Sequence, residues 1–364
     1  MRSPSLMDVE KRLDLLTRTP IEEVVMADEL KELLQTKQKP VAYDGFEPSG
    51  IAHIGSGVNK ALLVKRYVEA GVKYKILLAD WHGWINNKMG GDLSALRSVG
   101  KYFEKVWENL GVDLKDVEMV WANDLVADKS YWERVIKIAK ETTLARTTRC
   151  LTIMGRKEGE LNDTAQYFYP MMQCADIFHL GVDICQLGID QRKVNMLARE
   201  VGPKLGWGKP VVCSHHMLMG LQGPAKMGGY DEKYDAQISS KMSKSKPNTC
   251  IYVHDSLEQI QAKLKAAFCP EKQADGNPLM EISKYIVLEW FGELKIERPA
   301  KYGGDITYAD YDALVKDFAE GKLHPMDLKN GVAVSLDRII SPCRSYFEKH
   351  PEYLQVFSKQ AITR

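Results

Sequence analysis

The chain has no long apolar run. Nowhere in its 364 residues do the roughly 18 successive apolar residues of a membrane span occur. A cysteine framework is also missing: the seven cysteines, at positions 150, 174, 185, 213, 250, 269 and 343, form no CxxC pair and no regular spacing. That argues against a disulfide scaffold and fits reduced thiols in a cytosol-like compartment. Nor does charge of one sign dominate, since 50 Lys and Arg against 49 Asp and Glu leave a formal net charge of +1. That balance argues against a histone-like coat, but not against a local basic surface for nucleic acid. The opening stretch MRSPSLMDVEKRLDLLTRTP carries Asp8, Glu10 and Asp14 and no apolar h-region, so neither a transit peptide nor a secretory signal is expected. Its leucines fit an amphipathic helix, and the cytoplasm is the expected location. Internal repeats and low-complexity segments are absent.

What the chain does have is alternation. KPVAYDGF (39–46) reads as a strand stopped by the turn Glu47-Pro48-Ser49-Gly50. GVNKALLVKRYVEAG (57–71) then puts Val58, Leu62, Lys65 and Val68 near helical spacing and stops on Gly71. Strands follow at YKILLAD (74–80) and VEMVWAND (117–124), with a helix around 92–110 between them. Further on come the strand DICQLGI (183–189), the helix RKVNMLAREVG (192–202) and the strand PVVCSHH (210–216). Strands alternating with helices predict an α/β fold, a Rossmann-like doubly wound parallel sheet that binds ligand at the carboxyl ends of its strands. The span 125–182 reads as a helical insertion between the halves of that sheet. Near residue 250 the character changes. Asp255 and Glu258 resemble a capping box, opening a helix with Leu257, Ile260, Leu264 and Ala267 on one face. Helices then prevail to the end, apart from the turn-rich KYGGDITYAD (301–310). The expected organisation is an N-terminal helical segment (1–30), the sheet domain with its insertion (31–250) and a mainly helical C-terminal domain (251–364).

Two short motifs suggest chemistry. In Gly50-Ile51-Ala52-His53-Ile54-Gly55-Ser56, between a strand and a helix, glycine lets a ligand approach the backbone and the helix N-terminus favours phosphate. His53 can donate to a phosphate oxygen whose charge grows in a transition state. Taken alone, it reads first as a satisfied histidine in an ordinary strand–helix turn. In Lys241-Met242-Ser243-Lys244-Ser245, two lysines and two serines in a loop can close over a polyphosphate, or simply be solvated.

Together, in this order around an α/β pattern, the two motifs resemble the paired signatures of class I aminoacyl-tRNA synthetases. YDGFEPSG (43–50), ILLADWHGWINNK (76–88), YPMMQCADIFHLGVDICQLGIDQRK (169–193) and LHPMDLKN (323–330) further resemble the tyrosyl-tRNA synthetases of the archaeal and eukaryotic-cytoplasmic type. This likeness runs from about residue 25 to 345.

The resemblance implies that L-tyrosine is activated with ATP and Mg²⁺ and then passed to tRNA(Tyr). It places the substrate phenol between Tyr43 and Asp176, and the ammonium group among Tyr169, Gln173 and Gln191. Tyr169, Gln173 and Asp176 have the spacing of one helix face, and a face of core packing rarely repeats Tyr, Gln and Asp. ATP falls to Gly45, His53, Gly55 and Lys244, and catalysis to His53, Ser56, Lys241 and Lys244. For tRNA it implies Asp327 on the first anticodon base with His324 and Tyr302 stacking nearby. Arg146, Arg149 and Arg192 are implied at the acceptor end, and a homodimer is implied through the 125–165 region.

Two departures stand out. Ser56 occupies the place of a second signature histidine, and AKMGGYDEKYDAQISS (225–240) is a longer approach to the lysine loop, expected to be a flexible insertion. No metal site is expected: His215 and His216 alternate faces on a strand and lack companion ligands. Rival readings are a tryptophanyl-tRNA synthetase, a silent tRNA-binding paralogue and a generic nucleotidyltransferase. Tyr43 with Asp176 suits a phenol better than an indole, which has a donor but no acceptor.

Overall fold

The structure is a computed structural model and describes residues 7–155, 163–224, 234–244 and 247–358. Its six-stranded sheet comprises β1 (Ile21–Val25), β2 (Val41–Phe46), β3 (Lys73–Leu78), β4 (Val117–Trp121), β5 (Ile184–Gly188) and β6 (Val211–His215), in the order β1-β6-β5-β2-β3-β4. Every pairing is parallel except β1 with β6. Helices cover the sheet, so β5 is buried throughout, as strands of parallel sheets are.

The crossovers are the helices Lys60–Glu69, Leu93–Asn109 and Arg192–Lys204. The strand order reverses between β2 and β5, and these two pair only at Ala42–Ile184 and Tyr43–Cys185. Beyond those pairs the strands part, leaving a crevice at their carboxyl ends, where open α/β sheets bind ligand.

The N-terminal segment departs from the helical expectation. It contains the helices Val9–Thr17 and Ala27–Thr36, but β1 lies between them as an antiparallel edge strand. A second correction concerns the helix Leu257–Ala266, which is capped by Ser256 with Gln259 in a reciprocal capping box. Asp255 instead accepts from Tyr252 N at 2.8 Å and pairs with Lys263 at 2.6 Å. The turn-rich stretch near 300 carries a short antiparallel hairpin, β7 (Leu294–Ile296) with β8 (Ile306–Tyr308).

Between β4 and β5 the described residues form mainly helices, including Lys129–Lys140, Leu144–Cys150 and Tyr169–His179. These helices share a core of Tyr131, Val135 and Ile138 with Met172, Ile177 and Leu187. A second core runs continuously from Leu16, Val58 and Ile76 to Leu264, Leu279 and Phe347, so the C-terminal helices pack directly on the sheet domain.

Candidate active site

A cavity of about 690 Å³ opens at the crevice. Of the residues expected in the site, its walls include Gly45, His53, Gly55, Ser56, Tyr169, Gln173, Asp176, Gln191, Lys241 and Lys244. Tyr43 stands just behind the wall: a Cβ placed on Gly45 would lie 3.6 Å from Tyr43 Cε2. Its hydroxyl is buried and makes no hydrogen bond among the described residues. Burial, then the charges of neighbours including Cys185 and Asp176, raise the Tyr43 pKa well above the usual phenol value.

One end of the cavity is organised around Asp176, which is 1% exposed on the helix Tyr169–His179. Tyr131 donates to Asp176 Oδ1 at 2.8 Å. His82 Nε2 stands 3.2 Å from Asp176 Oδ2, off line for a hydrogen bond, so charge carries that attraction. Burial pushes the His82 pKa down, but the carboxylates of Asp176, Glu47 and Asp80 together push it further up, leaving it raised. The His82 ring meets Tyr169 edge to face at 4.9 Å. Tyr169 in turn donates to Glu47 at 3.1 Å. Gln173 donates to Gln191 Oε1 at 3.1 Å, and Gln191 donates to Ile153 O at the same distance. His82 and Tyr131 are thus site residues that sequence reasoning missed. Only a histidine inside an otherwise apolar, aromatic helix hinted at the first.

The other end holds the two signatures. Gly55 N donates to His53 Nδ1 at 3.1 Å, which requires that nitrogen to be unprotonated. Burial, then Lys244 and Lys241, lower the His53 pKa to about 3. His53 is therefore neutral, its other ring nitrogen carrying the proton. Ser56 Oγ accepts from His53 N at 3.1 Å and donates to His53 O at 3.3 Å. The Ser56 hydroxyl, expected among the catalytic groups, thus uses its one proton inside the turn.

Lys241 pairs with Asp190 at 2.7 Å. Lys244 Nζ binds the carbonyl of Ser49, and its stem lies on Gly50, whose φ of +56° suits glycine and whose Cβ would sit 3.0 Å from Lys244 Cδ. Burial, then the nearby Lys88, lower the Lys244 pKa to about 8. Both signature lysines are thus held at the cavity wall. Ser245 and residues 225–233 of the expected flexible insertion lie outside the described residues.

Residues expected at tRNA lie elsewhere. Asp327 sits in the first turn of the helix Pro325–Lys349, whose N-cap is His324. The Asp327 carboxylate makes no hydrogen bond or ion pair among the described residues, and Tyr302 is 59% exposed. Arg298 donates to Gly304 O and to Lys322 O, drawing the turns that carry Tyr302 and His324 toward each other. Arg146 is engaged by Glu200 at 2.9 Å and Arg192 by Glu23 at 2.7 Å, so both have partners within the chain.

The family profile of class I tRNA synthetases for tryptophan and tyrosine matches residues 35–238 and 233–341. The tyrosine–tRNA ligase of Thermococcus sibiricus is 44% identical over 98% of this chain and 100% of its own length. The chain belongs to the tyrosine–tRNA ligases. The cytoplasmic tyrosine–tRNA ligase 1 of Arabidopsis thaliana is 45% identical over 94% of this chain and 86% of its own. The tyrosyl-tRNA synthetase of Pyrococcus horikoshii, solved with L-tyrosine, superposes with a TM-score of 0.90 at 42% identity, covering 97% of this chain and 100% of that one. A tyrosine-specific ligase of this class is what the crevice, with a carboxylate at one end and two signature motifs at the other, is suited to serve.

Proposed function

We propose that the cavity aligns L-tyrosine and ATP end to end: the tyrosine carboxylate attacks the α-phosphorus in line, releasing pyrophosphate and leaving tyrosyl-adenylate. The terminal ribose of tRNA(Tyr) then takes the tyrosyl group, and AMP leaves. The observation that carries this reading is Asp176, a buried carboxylate with one oxygen held by Tyr131 and the other without a hydrogen-bond donor among the described residues. A phenol reaching Asp176 and the unpaired Tyr43 hydroxyl gives both a partner. Phenylalanine would leave them orphaned, and such sites reject the analogue lacking the hydroxyl by about 10⁴–10⁵, a magnitude whose worked example is tyrosyl-tRNA synthetase itself.

Tyr169, Gln173 and Gln191 hold the ammonium group in this account. No protein nucleophile is needed. Positioning and charge do the chemistry, with Gly45 and Gly55 admitting the nucleotide to the backbone, neutral His53 donating from its free ring nitrogen, and Lys241 and Lys244 facing the phosphates. ATP enters as its Mg²⁺ complex. The phosphates carry that ion chiefly, as Mg²⁺ bound with a nucleotide usually is.

In the C-terminal part (251–364), the free carboxylate of Asp327 reads the first anticodon base while Tyr302 and His324 stack beside it. Arg192 and Arg146 would have to exchange their carboxylate partners to meet the acceptor end. Ile136, Leu144, Tyr167 and Phe168 all expose large apolar surface on the insertion, which supports a homodimer formed there. No helix among the described residues is long and apolar enough to cross a membrane, and the cytoplasm is the proposed location.

Amino-acid-dependent exchange of pyrophosphate into ATP, run with each of the twenty amino acids, tests the reading. Exchange with tyrosine alone is expected. Exchange with tryptophan, or with none, would sink it.

A further inference from the structure

Behind the cavity wall runs a buried chain of side chains that the reaction above does not use. Tyr74 of β3 donates to Gln186 Oε1 at 2.6 Å, and Gln186 Nε2 of β5 lies 2.9 Å from His215 Nδ1 at the end of β6. Tyr74 and Gln186 are fully buried, while His215 lines the cavity. The directions of these bonds follow from satisfaction alone. The Tyr74 hydroxyl proton has no other acceptor among the described residues, so the Gln186 amide must turn its oxygen to Tyr74 and its NH₂ to His215. Nδ1 of His215 then accepts, and the single imidazole proton sits on Nε2. Burial, then the nearby Lys60, hold the ring neutral, with a pKa lowered to about 3.

The position of that N–H is equally fixed. Gly188 and His215 are register partners in β5 and β6. A Cβ built on Gly188 would lie 3.5 Å from His215 Nε2 and 2.6 Å from Asp190 Oδ1. Since Asp190 pairs with Lys241, His215 belongs to the signature-lysine end of the cavity, away from Asp176.

We propose that His215 is a nucleotide-binding residue whose Nε2–H, its tautomer locked by Gln186 and Tyr74, donates to an oxygen of the ribose or phosphate portion of ATP. This rests on ATP occupying that end of the cavity. A fixed neutral donor discriminates: it serves an oxygen acceptor, gains nothing from the tyrosine ammonium group and needs no counter-charge in a buried place. Gln186 and Tyr74 are positioning residues, acting on ATP only through the tautomer of His215.

The test is steady-state pyrophosphate exchange by the full chain, with KM measured separately for ATP and tyrosine. His215→Leu is expected to raise the ATP KM about tenfold, the scale of one lost hydrogen bond, with the tyrosine KM within about twofold. His215→Gln, which keeps an N–H donor, is expected to recover most of that loss. Tyr74→Phe removes one oxygen remote from the cavity and is expected to raise the ATP KM a few-fold, leaving the tyrosine KM alone. With 2′-deoxy-ATP, loss of the His215→Leu penalty assigns the acceptor to the ribose 2′-oxygen, and its persistence assigns it elsewhere on the sugar–phosphate. An unchanged ATP KM in His215→Leu, or equal rises in both KM values, overturns the proposal. A wild-type chain without tyrosine-dependent exchange would count against the proposed function instead, and direct titration of wild type and His215→Leu with ATP would still decide the role of His215.

Discussion

Tyr131 donates its hydroxyl proton to Asp176 Oδ1 at 2.8 Å across 45 residues of sequence, and so fixes the carboxylate that faces the tyrosine end of the cavity. In Tyr131→Phe that oxygen is left buried without a donor, at a cost of about 1–3 kcal/mol. The variant is expected to melt at a lower temperature. It should also bind tyrosine about tenfold less tightly while the ATP KM stays put, as checked by exchange kinetics at varied concentrations of each substrate.

Ser56 offers a second prediction. Because its hydroxyl clamps His53 N and O, Ser56→Ala should behave as the loss of a local cap, costing about 0.5–2 kcal/mol. Thermal melting reads that loss directly. A direct phosphate contact would instead show as a large rise in the ATP KM without a matching loss of stability.

Lys244 titrates in an accessible range. With its pKa lowered to about 8 by burial and by Lys88, the ammonium is present below that pH and lost above it. ATP, an anion, favours the charged form, so ATP affinity should fall up to about tenfold per pH unit above pH 8. Lys244→Arg, which stays charged, should flatten the profile even if it binds ATP less well at neutral pH. Titration of ATP binding from pH 7 to 9.5 measures both.

His216 ties three parts of the chain together. It stands 3.2 Å from Glu22 of β1 and 3.1 Å from Glu281 of the helix Pro278–Ile282, with Gln237 beside it and Tyr285 stacked on its face at 4.0 Å. Burial lowers its pKa, but hydrogen bonds and charge from Glu22 and Glu281 outweigh that and raise it to about 9. A folded pKa above the unfolded value of about 6.5 stabilises fully below pH 6.5, and that stability is lost as pH rises through 9. The sum is on the order of 3 kcal/mol. The melting temperature should therefore fall between pH 6.5 and 9, and His216→Asn should lose much of that slope.

The sheet was legible in the sequence because its strands are apolar runs bounded by turn residues. The two signatures were legible as short contiguous motifs. β1 was not: IEEVV puts Glu22 and Glu23 in mid-strand, and its reason to be there lies in His216 and Arg192, far along the chain. Tyr131 and His82 were hidden likewise. Nothing in DKSYWER or DWHGWIN says that both point at a carboxylate on another helix, since that is settled only when the insertion folds over β3. The expected capping box slipped by one residue because Ser256 and Asp255 are both good caps, and Lys263 engages Asp255. The inward turn of the Ser56 hydroxyl was not legible, because a motif gives position but not the direction of a hydroxyl.

The most direct test of the account is the ratio of kcat/KM for tyrosine over phenylalanine, measured in the wild type, Tyr43→Phe and Asp176→Ala. The account predicts a large ratio that falls by at least tenfold in each variant, with the ATP KM little changed. A ratio that survives Asp176→Ala would contradict it.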